Sequence, residues 1–508
     1  KTVKLTDPTN KTLTYVYDAE MGDRLLAAID TEGKRTTYGY DTGGFLHTVT
    51  DANGNRSITG HDVRGNTVSQ TDCQDTAANK CATEYYTYYP DATTAFPAMD
   101  PRNDLLLTER DARSASATDN TYLTSYTYDT GGNLLSVTTP PVPGSPNGRT
   151  ATTTYTTSTT PAAEGGTAVA PAGLVDTVIT PGGKKTKNVY YANGDLASVT
   201  DANGAKVTYT YDNLGRKISQ KEISDSQPNG LTTTWTYDKN DQVTTETAPA
   251  VTNRVTGAVH QAKTTTVYDY DGNVTSQTVA DLTGGDASRT TSMTYDAYNR
   301  MATRTDPGGD TTSFEYDVYG NKVKETDPAG NVNTYTFDGE GRPLTTNLLN
   351  YTGDPNNPSA PTTLVQESRA YDPAGRLASI TDAMGWVTAY TYTDDGLTAT
   401  VTRKDPANGK QFVEESNTYD MAGNLIKQVT NDGRTTTTFT VDADDRVTSS
   451  VLDPTGVNRT TKVSYDPDDN VVSETESDPT TGDVDTTDTL YDNLGNVKGT
   501  VEHDGTTA

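Results

Sequence analysis

A short pattern recurs along this chain: an aromatic residue, any residue, Tyr-Asp, two further residues, then Gly followed by Asn or Arg. It stands at 38–44 around Tyr40 and Asp41, and at 126–133 around Tyr128 and Asp129. At 209–216 it holds Tyr211, Asp212 and Gly215, and at 314–321 it holds Tyr316, Asp317 and Gly320. Shorter copies keep Tyr371, Asp372 and Gly375; Tyr419, Asp420 and Gly423; and Tyr491, Asp492 and Gly495. Such a repeat constrains folding more than composition does. A single unit cannot bury its apolar face, so units must stack on their neighbours.

The motif predicts a strand and a turn. Tyr-x-Tyr alternates with period two, which aims both rings at one face of a half-buried strand. Asp-x-x-Gly fits a type I turn whose last position has positive φ, a common hairpin connection. A second Asp-x-x-Gly closes the return strand, as at Asp51–Gly54, Asp201–Gly204, Asp327–Gly330 and Asp382–Gly385. Asp306, Asp317, Asp327 and Asp338 are spaced by 11, 10 and 11 residues, so two turns make one period. In the return segment Leu196 and Val199 are three apart rather than two, which predicts a bulge. Copies around His61-Asp62, Tyr237-Asp238, Val441-Asp442 and Tyr465-Asp466 keep the frame and lose one landmark each. Roughly 18 units then give a ribbon of about 36 antiparallel strands. The expected fold is all-β, a long hairpin ribbon curled into a hollow or open spiral shell or barrel. A closed ring of that length would measure about 55 Å across, far too wide for side chains to fill.

Composition agrees with a thin core. Hydrophobic residues make up 32% of the chain, and Tyr supplies 31 aromatics against 6 Phe and 2 Trp. The apolar face is therefore expected to be Tyr, with Tyr211, Tyr316 and Tyr371 stacking on equivalent rings of neighbouring hairpins. The net charge of −29 disfavours nucleic acid and anionic membranes as partners, although much of the acid is turn Asp. No apolar run reaches the length of a membrane-spanning helix, so membrane insertion is not expected. Lys1 opens inside what reads as a strand and turn, which suggests a longer precursor.

One continuous repeat domain is expected over 1–508, interrupted at 73–84, 90–102, 139–187, 247–263, 281–289 and 347–365. Their Pro, Gly, Ser and Asn content reads as irregular loop, with one degenerate strand near Tyr155. Loops on a repeat rim are a frequent place for binding; tolerated surface insertion is the alternative. Cys73 and Cys81, eight apart in one insertion, read as a local disulfide, with two free thiols as the alternative. The four histidines are scattered, and none of the common nucleophile, metalloprotease or phosphate-loop motifs occurs. No catalytic, cofactor or metal residue is assigned. Calcium is the only ion suggested: Asp51-Ala-Asn53-Gly-Asn55 begins like a calcium loop but lacks its later Gly and Glu.

The repeated Tyr-Asp, the Gly-Asn/Arg turn and the period resemble YD repeats of the Rhs type. These occur in bacterial Rhs and wall-associated polymorphic toxins, Tc toxin C components and animal teneurins. The resemblance extends from Tyr15 to Val501. It implies a hollow β-spiral enclosing a C-terminal toxin domain of the parent chain, or a barrel used for adhesion to a cell-surface or glycan ligand. It also implies a secreted or cell-surface location. Asp453-Pro454-Thr-Gly456-Val457 looks like the family's self-cleavage motif, but repeats continue beyond it, so no protease role is carried over. The leading reading is a non-catalytic shell segment of a toxin-delivery protein. An adhesin on the same scaffold and a polysaccharide-degrading enzyme are the alternatives. The unpaired edges of such a ribbon also offer a route to self-assembly.

Overall fold

A computed structural model describes residues 1–508 except Pro8, Ala92, Asp354, Pro355, Asn357 and 506–508. Parts of the insertions predicted at 90–102 and 347–365 thus lie outside the described residues. The regular elements among the described residues are all strands. Thirty-nine belong to one antiparallel sheet, and Val251–Thr252 with Val259–His260 form a separate two-stranded ladder. Neighbours in sequence pair, as in Leu196–Thr200, Lys206–Tyr211 and Lys217–Ser224, while Val243–Thr247 skips the small ladder to pair with Ala262–Tyr268. The chain divides into two compact units. One comprises Lys1–Thr153, Ile179–Lys184 and Glu367–Ala508; the other comprises Thr154–Val178 and Lys185–Gln366.

The turns take the geometry their residues dictate. In 212–216 the Gly215 N–H donates to the Asp212 carbonyl at 3.0 Å, and the Asp212 N–H donates to the Arg216 carbonyl at 2.9 Å. Gly215 sits at φ +78°, in the left-handed region that closes a type I turn into a hairpin. The predicted bulge is present. Tyr190 pairs with Leu196 and Val189 with Ser198, leaving Ala197 as an extra, buried residue on the return strand. The same slip falls just before the motif Tyr at Tyr128, Tyr211, Tyr316, Tyr371, Tyr419 and Tyr491. Recurring once per period, it adds twist in the same sense each time.

The core is thin. Among the described residues no large side chain is fully buried, and the motif tyrosines are half-buried. Their packing differs from the expected ring-on-ring layers. Tyr211 meets Tyr191 edge-on, with ring centroids 6.4 Å apart, but Tyr316 lies against the Arg300 guanidinium, 4.8 Å from its ring centre. Distance explains the change. Equivalent tyrosines on successive hairpins are two strands, about 9.6 Å, apart, beyond the reach of ring pairing. A long planar cation fills the gap.

Most insertions are more ordered than their composition suggests. Cys73 and Cys81 face each other on the paired strands Thr67–Asp75 and Lys80–Tyr88 and are joined by a disulfide. The segment 139–187 holds two strands, Thr150–Tyr155 and Val175–Ile179, and the start of a third, Lys185–Tyr190. At 347–365 the strands Pro343–Tyr351 and Thr362–Tyr371 extend into the insertion from both sides.

A Cβ built on Gly215 would meet nothing within 4 Å, so its backbone conformation alone resists substitution. Gly215→Ala should lower stability by about 1–2 kcal/mol, read as a shift of the urea unfolding midpoint. Gly215→Asn should cost less.

Candidate functional site

The chemistry of this chain is concentrated at its turns. Asp212 Oδ1 accepts the N–H groups of Leu214 (2.9 Å) and Arg216 (3.1 Å), and Oδ2 accepts Arg216 Nε (2.7 Å). Asp317 and Asp492 repeat this with Asn321 and Asn496 in place of Arg. Asp129 and Asp420 are held the same way by Asn133 and Asn424. Asp41 accepts the Phe45 N–H and faces His61, whose ring replaces a motif Tyr and lies 5.4 Å from that of Phe45. Gly320, Gly375, Gly423 and Gly495 all have positive φ, as their turns require.

Two side chains then join each hairpin to the next. The motif Tyr reaches back: Tyr40, Tyr128, Tyr211, Tyr316, Tyr419 and Tyr491 donate their hydroxyls to the carbonyls of Leu25, Leu106, Leu196, Met301, Thr398 and Val471 at 2.8–3.0 Å. Where the turn ends in Arg, that Arg reaches forward. Arg216 donates to the Asp238 carbonyl (2.9 Å) and to Asp241 Oδ1 (2.8 Å), and its guanidinium lies over Tyr237 at 4.9 Å. Arg300, Arg376 and Arg446 cover Tyr316, Tyr392 and Tyr465 in the same way.

Copies that have lost the turn Gly are compensated. Asp241, Asp445 and Asp469 adopt positive φ themselves, at 63°, 61° and 67°. Asp and Asn tolerate this conformation better than other residues with side chains. Their carboxylates accept Arg216, Asn424 and Arg446 from the preceding unit. The sequence shows only a missing Gly; the partner becomes evident once the hairpins are stacked.

A second network appears within the unit containing both termini. Two stretches about 300 residues apart run side by side, turn against turn. Asn53 Nδ2 donates to Asp372 Oδ2 at 3.0 Å. Gln74 and Thr76 meet Asp394 and Asp420. Arg113 donates to the Asp442 carbonyl (2.9 Å) and to Asp445 Oδ1 (2.7 Å). Arg149 pairs with Asp444 and with Asp469 at 2.5 Å, and Gly182 N–H and Lys184 Nζ bind Asp468. The side chains of Arg113 and Arg149 are only 9% and 7% exposed. Gln74, Thr76, Arg149, Gly182 and Lys184 all come from insertions, which here join distant parts of one unit.

Among the described residues one group could converge on a cation: His260, Asp281 and Asp286. Asp281 already accepts the N–H groups of Gln261, Thr283 and Gly285, the Thr283 hydroxyl and His260 Nδ1. Its carboxylate lies far below the usual range, first because of Thr283. The group therefore clamps two insertions together. Asp51, in the stretch resembling a calcium loop, is a turn Asp that accepts the N–H groups of Asn53 and Asn55 and the Asn55 amide. Asp453 likewise closes an internal turn, with Gly456 N–H on its carbonyl.

Repeated hairpins, buttressed by turn carboxylates and interlocked by Tyr and Arg, define a repeat scaffold. The RHS Repeat family model matches residues 22–56, 190–222, 295–332 and 371–410. These four stretches are RHS repeats. Curated protein sequences contain no match to it. Its fold is similar to that of chains in three Tc toxin structures, each at 16% identity. The TcdB2-TccC3-Cdc42 structure gives a TM-score of 0.53 and covers 96% of this chain and 27% of that one. TcdB2-TccC3 without its hypervariable C-terminal region gives 0.52, covering 99% and 25%. The Photorhabdus luminescens Tc holotoxin pore gives 0.53, covering 97% and 24%. This chain thus spans about a quarter of the length of each.

Stability should fall at both extremes of pH. Asp212 and Asp296 are held below their ordinary value of 3.8, chiefly by the Arg216 and Arg300 side chains, and Asp129 and Asp269 chiefly by Asn133 and Asn273. A lowered folded-state pKa contributes stability that is present above the unfolded value and lost as pH falls through the folded one. Burial raises Tyr128, Tyr295, Tyr392 and Tyr465 above 10.0, so their contribution is present below pH 10 and lost as pH rises through the folded values. Melting temperature measured against pH should show a plateau bounded by these two declines. Arg149→Met removes the partner of Asp444 and should destabilise by about 3 kcal/mol. Arg304→Met, at an exposed pair, should be nearly neutral in the same urea titration.

Proposed function

We propose that this chain is a structural shell segment of a secreted or cell-surface toxin-delivery protein, and that its partner is a C-terminal toxin domain of its own parent chain. The observation that carries this reading is the use made of the repeated residues. Tyr hydroxyls, turn carboxylates and Arg guanidinia are directed at neighbouring hairpins, which suits a wall. The RHS repeats and the likeness to TccC3-containing structures support the same reading, and one of those is described by its missing hypervariable C-terminal region. Limited proteolysis of the parent protein tests it. The segment following the repeats should resist protease until the repeats unfold; cleavage as fast as in the isolated segment would refute encapsulation.

A second reading, a glycan-binding adhesin, is favoured by one feature. Tyr270, Tyr298 and Tyr319 occupy the outer positions of three successive motif turns, with exposures of 107%, 79% and 48%. Successive turns stand about 9.6 Å apart, commensurate with the disaccharide unit of an extended β-1,4-linked polymer. Arg300 supports one of these rings, lying 5.1 Å from the centre of Tyr298. Binding to linear neutral oligosaccharides that weakens at least about tenfold in Tyr270→Ala/Tyr298→Ala would establish this reading. An unchanged isotherm would remove it.

A further inference from the structure

We propose that the Cys73–Cys81 disulfide is a redox-operated latch on the seam between the two distant stretches. The argument begins with register. Cys73 pairs directly with Cys81, but the next pair is Asp75 with Lys80, so Gln74 is an extra residue immediately beyond the disulfide. That residue is inserted into the facing stretch. Its backbone carbonyl accepts the Asp394 N–H at 3.1 Å, and its Nε2 donates to the Asp420 carbonyl at 2.5 Å. One turn of chain further on, the Thr76 N–H donates to Asp394 Oδ2 at 2.7 Å. Residues 74–76 thus supply three bonds across the seam, and Gln74 is only 7% exposed.

One slip of a single residue removes the bulge by setting Gln74 opposite Cys81, and it turns the side chains it moves to the other face. Such a slip would withdraw Gln74 from the seam. The disulfide holds residue 73 opposite residue 81 and so forbids it. The other seam contacts have anchors of their own: Arg113 on Asp445, Arg149 on Asp444, and Gly182 on Asp468. Loss of the latch therefore opens the seam locally, between the Asn53–Asp372 contact and the Arg113 contacts, without releasing the rest.

The reductant class is a dithiol. Cys73 is buried and Cys81 half-buried, so a thiolate attacks Cys81 Sγ, forming a mixed disulfide there and expelling Cys73 as a thiolate that then takes a proton. The second thiol of the reagent displaces Cys81. The protein gains two thiols and the reagent becomes a disulfide. Asp51, Asp72, Asp394 and Asp395 line the small cavity beside Cys73 against a single cation, Arg56, so the lining as a whole opposes the expelled anion. A dithiol completes the exchange within the mixed disulfide, where a monothiol is readily reversed. This use rests on the shell reading above: a wall secured in an oxidising exterior loosens where thiols are abundant.

Amide hydrogen exchange on the intact chain, with and without dithiothreitol, tests the latch. On reduction the Asp394 and Thr76 amides should exchange at least about tenfold faster while the Gly182 amide keeps its protection. Cys73→Ser/Cys81→Ser should reproduce the effect without reductant. Unchanged protection at Asp394 in both experiments would overturn the proposal, as would an equal rise at Gly182, which would indicate general unfolding. Neither outcome bears on encapsulation, which the protease experiment reads separately.

Discussion

The turn carboxylate is the interaction on which the rest of this structure depends. Asp212 gathers two backbone N–H groups on one oxygen and the Arg216 side chain on the other. That geometry fixes where the hairpin turns, and so fixes which residues face each other along both strands. The bulge beside Tyr211 and the reach of its hydroxyl to Leu196 both follow from that register. With little apolar surface to bury, the chain is held by charge-assisted hydrogen bonds repeated at every period. Its acidity follows from the same device, since each period needs its Asp.

The links between hairpins run in opposite directions, and this gives the ribbon its nearest-neighbour character. Tyr316 reaches back to the Met301 carbonyl, while Arg300 reaches forward over the Tyr316 ring to the Asp317 carbonyl. A single side-chain position is thus gripped from two sides. Units ending in Asn, such as 317–321, cap their own Asp and bridge onward only where a turn side chain such as Asp445 comes within reach; Arg extends to the backbone and ring of the next hairpin. Variation at this one residue sets how tightly adjacent hairpins are coupled, as expected for a solenoid whose stability is summed over interfaces.

Much of this was legible in the sequence because its causes are local. The turn at Asp212–Gly215, the face shared by Tyr209 and Tyr211, and the bulge signalled by Leu196 and Val199 need only the chemistry of a few consecutive residues. The Tyr layers were misjudged because strand spacing, which places equivalent rings too far apart, is a property of the sheet. The pairing of Arg216 with Asp241 spans 25 residues and depends on stacking. Nothing in the Gly-rich surroundings of Arg149 points to Asp444, 295 positions away.

That last contact shows why the insertions differ from the repeats. A periodic sequence cannot specify which of its hairpins should meet which, because a shift by one whole period presents nearly the same surface again. Where two stretches run side by side, the correct alignment has to be written in residues that do not recur. Gln74, Arg149 and Lys184 lie in insertions and Arg113 in a turn that has Ser114 in place of Gly, and each finds its partner at a turn of the facing stretch. Buried charges such as Arg149 are costly when left unpaired, so they penalise every misaligned neighbour. The repeats therefore build the ribbon, and the departures from the repeat determine how it is aligned with itself.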